Sequence, residues 1–156
     1  MKYKSIAKNT RGFLIRWPKK GIFPDYRNVS GPYVSQKRIN KAKRIVIQLL
    51  RDEERNIIRA FTIFAKRRYR KQQVFVEVDI EAAIYMVENA ILHNKDEDMY
   101  GESDGECMWI SAIKMSGELL IGTMIHEALH NIGTFNGNDI CECDEHAIMT
   151  ILGERW

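Results

Sequence analysis

The residues best able to do chemistry in this chain are His126-Glu127-Ala128-Leu129-His130. On a helix, four residues make a little over one turn, so His126 and His130 leave the same face about 6 Å apart along the axis. Two imidazoles so placed can reach one zinc ion at ~2.0–2.1 Å. Glu127 lies next round the helix. It can take a proton from a water on that metal as the water attacks a peptide carbonyl, which makes it the candidate general base. Two histidines at this spacing also arise by chance. Here the chain has four histidines in all, and three of them fall between positions 126 and 146.

A catalytic zinc takes three protein ligands and keeps one position open. Candidates for the third lie in Asp139-Ile140-Cys141-Glu142-Cys143-Asp144-Glu145-His146. Residues from about Asp139 to Leu152 have a helical pattern whose buried side is Ile140, Ala147, Ile148, Ile151 and Leu152. On that helix Glu145 sits beside the buried side, and His146 projects about 100° further round. Glu145 is the favoured third ligand and His146 the alternative; Glu142, Asp144, Asp139 and the cysteines follow. Cys141 and Cys143 diverge on a helix and are spaced more closely than the cysteines of structural zinc sites, so they read as two reduced thiols. His93, alone at an expected helix end, reads as a surface or capping residue.

These side chains need elements to hold them. Leu119, Leu120, Met124, Ile125, Ala128, Leu129 and Ile132 predict a helix opened by Ser116 or Gly117 and stopped at Gly133. Cys107 to Met115 reads as a strand before it. Residues 94–106 form an acidic loop whose spacing does not fit an EF-hand. Upstream, Asp79 can cap a helix through about Leu92, and Val74–Val78 reads as a short strand. Residues 35–71 are helical with one apolar face, and their length predicts a break near Asp52–Glu54. Residues 1–34 hold all three prolines and six aromatics, which suggests an irregular arm packed on the body.

Composition bounds the class. A chain of 156 residues, 45% hydrophobic and 29% charged, is about one ordinary globular domain. No apolar run approaches the ~20 residues of a membrane span, and the first thirty residues show no secretory signal. Three cysteines make no disulfide framework, so an intracellular location, cytoplasmic or nuclear, is expected. The net charge of +3 conceals a division. Residues 1–71 carry 21 Lys and Arg against four acids, a net +17, whereas residues 72–156 carry three against 17, a net −14. Such asymmetry suggests a polyanionic partner for the basic half, or docking of one half on the other. Lys66, Arg67, Arg68, Arg70 and Lys71 are the best candidates for contact with DNA or RNA, although cations also complement a helix C-terminus.

At His126–His130 the chain resembles the zincin metallopeptidases. The order of a strand followed by LLIGTMIHEALH is similar to SprT/Spartan-like proteases, and also fits minimal gluzincins and ImmA/IrrE-like peptidases. The resemblance covers roughly residues 107–152. It implies a zinc cofactor, peptide-bond hydrolysis, and an edge strand, here residues 108–113, that holds the substrate backbone extended. SprT-like proteins use a histidine as third ligand, which carries over to His146; gluzincins use a glutamate from a following helix, which carries over to Glu145. The expectation is therefore an α+β fold: a compact zincin-like domain over 72–156, with its metal-binding helix after a short sheet, preceded by a basic arm and helices over 1–71. Its expected activity is that of a zinc metallopeptidase, with recruitment to nucleic acid, a purely structural zinc site, and a basic half that covers the acidic site as rival readings.

Overall fold

The computed structural model describes residues 31–93 and 100–154. In chain order the elements are α1 (Gln36–Asp52), α2 (Glu54–Arg68), β1 (Val76–Val78), α3 (Ile80–Glu88), β2 (Ile91–His93), β3 (Gly101–Ser103), β4 (Met108–Ser111), α4 (Gly117–Leu129), β5 (Gly133–Phe135), β6 (Asn138–Asp139) and α5 (Glu142–Glu154). The fold is α+β, with helices packed around two small sheets.

Helix α1 begins where the Ser35 hydroxyl accepts the Arg38 N–H at 3.2 Å. Its apolar steps, Ile39, Ala42, Val46, Leu49 and Leu50, are all buried. The expected break is present: Glu53 leaves helical geometry and α2 restarts at Glu54, burying Ile57, Ala60, Phe61 and Ala65. Helix α1 packs on α3, α4 and β2, while α2 packs on α5 and β1, so both charge-divided halves supply one core running from Val34 to Leu152. Helix α4 has no solvated face from Gly122 onward, and passes through the middle of that core.

One sheet has the order β2-β4-β3. The middle strand β4 pairs in parallel with β2 (Ile91↔Trp109) and antiparallel with β3 (Gly101↔Ile110). The Gln36 side chain closes the outer side of β2. Its Oε1 accepts the Leu92 N–H at 2.9 Å, and its Nε2 donates to the Ala90 carbonyl at 3.2 Å. Among the described residues β3 has no further strand on its outer side. The other sheet, β1-β5-β6, is antiparallel, with Val76↔Phe135 and Thr134↔Asp139. Asn136 and Gly137 (φ 52° and 77°) make the tight turn between β5 and β6, which demands two residues tolerant of positive φ.

Several boundaries differ from the sequence expectation. The helix after Asp79 stops at Glu88, and Ile91–His93 leave it to pair with β4, because a short apolar run fits either state until a partner strand decides. Gly101–Ser103, expected as loop, is β3. The β4 strand is paired on both sides, so the expected edge role of residues 108–113 does not hold; the open edge belongs to β3. Helix α4 ends at Leu129, three residues early: His130 is already extended (φ −69°, ψ 144°) and Asn131 has φ 62°. Helix α5 starts at Glu142 rather than Asp139, because Asn138 and Asp139 pair with β5.

Of the expected arm, only residues 31–34 lie within the described residues. Val34 N–H donates to the Ile113 carbonyl at 2.9 Å, and the Arg38 guanidinium bridges the carbonyls of Pro32 (2.7 Å) and Met115 (2.8 Å). No helix among the described residues is long and apolar enough to cross a membrane.

Candidate metal centre

Helix α4 delivers the first imidazole from its last turn, and its C-cap delivers the second. His126 is 3% exposed and His130 8%, and their Nε2 atoms stand 3.1 Å apart. The third imidazole comes from the N-terminal part of α5: His126, His130 and His146 place one ring nitrogen each within 4.8 Å of one another. Ring centroids are 4.8 Å (126 to 130), 5.2 Å (126 to 146) and 5.1 Å (130 to 146) apart. Three histidines thus lie close enough to hold one metal ion.

Glu145, the favoured sequence candidate, sits one step behind this triad. It is 4% exposed, and its Oε1 accepts from His130 Nδ1 at 2.9 Å while its Oε2 accepts the Asn131 N–H at 2.7 Å. An ionised carboxylate can only accept, so Nδ1 of His130 carries the proton and its Nε2 presents a lone pair. That lone pair can accept the N–H of His126 Nε2 across 3.1 Å, or both nitrogens can face one cation. Of the other sequence candidates, Asp139, Cys141, Glu142 and Cys143 are exposed; Glu142 Oε1 lies 3.8 Å from His146 Nε2. His93 sits on β2, opposite Ser111 of β4.

Glu127 is 9% exposed beside the triad. Burial pushes its carboxyl up to about 7, against the opposing pull of the His130 charge and of a hydrogen bond from Ser103. Burial would lower His130, but the hydrogen bond to Glu145 and the nearby carboxylates outweigh it and leave the imidazole raised. His146 is lowered, first by burial and then by His130.

Strand β3 supplies the wall over Glu127. The pleat turns Gly101 and Ser103 to one side and Glu102 to the other. Ser103 Oγ donates to the Glu127 carbonyl at 2.8 Å and lies 3.3 Å from Glu127 Oε2. A Cβ on Gly101 would stand 3.1 Å from Thr123 Cγ2 and 3.2 Å from Glu127 Cγ, so the bare glycine lets β3 lie flat on α4. Reading residues 94–106 as loop missed Ser103; the one available signal was the alternation Gly101-Glu102-Ser103 ahead of a strand.

The five cations expected to meet nucleic acid, Lys66, Arg67, Arg68, Arg70 and Lys71, are all exposed, at and beyond the C-terminal end of α2. They lie on a different element from the histidine triad. No family model, curated protein or solved structure matches this chain.

Proposed function

We propose that the chain is a zinc-dependent peptidase in which His126, His130 and His146 hold the metal and Glu127 is the general base. The convergence of three imidazole nitrogens beside a buried, proton-avid carboxylate on the same helix carries this reading. A purely structural zinc site would be closed by a fourth protein ligand, and the thiols of Cys141 and Cys143 stay exposed outside the triad. Zinc in this position would supply Lewis acidity, easing ionisation of a water and polarising a carbonyl. The chain supplies the rest. Glu127, poised near neutral, accepts a proton at its carboxylate from the attacking water and returns it to the leaving amine nitrogen. The Ser103 hydroxyl, bonded to the Glu127 carbonyl and close to its Oε2, keeps that side chain facing the triad. The open edge of β3, next to Glu127, can pair with an extended peptide backbone.

Elemental mass spectrometry and cleavage of unfolded casein test this together. The parent chain should carry one zinc, His130→Ala and His146→Ala should lose it, and Glu127→Gln should keep it while losing cleavage. A parent without stoichiometric zinc, or a Glu127→Gln variant as active as the parent, would refute the proposal.

A further inference from the structure

At the end of α2 opposite in character to the metal centre, the fold presents cations and one aromatic ring on a fixed frame. Lys66, Arg67 and Arg68 close the helix, and Arg70 and Lys71 follow at once. All five are exposed, and no ion pair among the described residues engages them. Their chain segment is not loose. Tyr69, in their midst, packs edge-on against Phe135 with ring centroids 5.9 Å apart, and Phe135 also stacks on Phe64 at 6.0 Å.

Four residues after Lys71 stands Phe75, 68% exposed, the most exposed large apolar side chain among the described residues. Its backbone is clamped from both sides by Asn136: Phe75 N–H donates to Asn136 Oδ1 and Asn136 N–H donates to the Phe75 carbonyl, both at 2.8 Å. Asn136 adjoins Phe135, so the contacts run unbroken from Tyr69 through Phe135 and Asn136 to Phe75. Among the described residues nothing covers this ring and no ion pair engages the cations, an arrangement that something flat and anionic would complete.

We propose that this surface binds single-stranded nucleic acid, with the cations on successive phosphates and a base stacked on Phe75. Base stacking on aromatics together with a cationic track is the usual physics of single-strand capture. A duplex keeps its bases stacked and offers nothing to the ring. A lipid surface fits less well, because Phe75 stands alone among the exposed amides of Gln72, Gln73, Asn136 and Asn138, which resist transfer to hydrocarbon. The inference is independent of the peptidase reading.

Fluorescence anisotropy of the full chain with a labelled oligothymidylate, the matching duplex, and phosphatidylserine-containing vesicles tests it, with circular dichroism to confirm that each variant is folded. The single strand should bind best. Phe75→Ala should weaken it about tenfold while leaving the salt dependence unchanged. Arg67→Ala/Arg68→Ala should flatten the slope of log K against log salt by about 1.4, since each phosphate contact on a single strand contributes about 0.7. Binding unmoved by these variants, a duplex bound as tightly as the single strand, or binding to the vesicles alone would each overturn the proposal.

Discussion

Removing the carboxylate behind His130 should weaken zinc without abolishing it. Glu145 serves two donors at once, the His130 ring at 2.9 Å and the Asn131 backbone at 2.7 Å. In Glu145→Gln the amide keeps one oxygen, and its NH2 group must then face the other donor. Keeping the oxygen on His130 preserves the imidazole tautomer at the expense of the Asn131 bond. Groups that orient metal-bound histidines typically contribute 10–100-fold in affinity, or ~1.4–2.7 kcal/mol. Glu145→Gln should fall near the lower figure and Glu145→Ala near the upper. The alanine variant also leaves the buried His130 Nδ1 without its acceptor, while the exposed Asn131 finds water. The metal-free chain should therefore lose about 1–3 kcal/mol of stability. Competition for zinc against a chromogenic chelator gives the affinities, and urea unfolding of metal-free protein gives the stability. Unchanged affinity in Glu145→Gln would show that the carboxylate does not orient His130. A loss as complete as that of His130→Ala, with His146→Ala still retaining zinc, would show that Glu145 touches the metal and His146 does not.

Three further outcomes rest on the same packing. Gly133→Ala drives a methyl into the ring of Phe61, itself 2% exposed, and should cost about 1–3 kcal/mol in urea unfolding; a neutral result would mean that β5 can slide. Gly101→Ala should lift β3 from Glu127, leaving zinc content intact but lowering casein cleavage by up to about 100-fold, and a variant with parental activity would separate β3 from the chemistry. Zinc binds neutral imidazole, and Glu145 holds His130 raised, so protons compete from above the usual imidazole range. Apparent zinc affinity should fall as pH drops, with the fall beginning above the usual imidazole range, and a flat profile would contradict that.

Much of this arrangement was legible in the residues. The helix carrying His126 and the strand before it follow from apolar spacing and capping chemistry, and the break at Glu53 from the length of the helical run. The elements that were missed are short and defined by partners. Ile91–His93 became a strand because β4 lies beside it, and Gly101–Ser103 for the same reason. Asn136-Gly137 was a readable hairpin signal, and it explains both the early end of α4 and the late start of α5. Adjacent Glu145 and His146 both looked fit to ligate; only the packing of α5 shows Glu145 facing the far nitrogen of His130 and His146 facing the triad.

The two rims of the β2-β4-β3 sheet are treated unequally. Gln36 plays the part of a neighbouring peptide group along β2, whereas among the described residues β3 has no strand on its outer side, beside Glu127. In a crowded solution this described edge is where such sheets could zip together, β3 against β3. That pairing would seal each molecule's own cleft with its neighbour. On the peptidase reading, specific activity would then decline with protein concentration, and the protein would restrain itself most where it is most abundant.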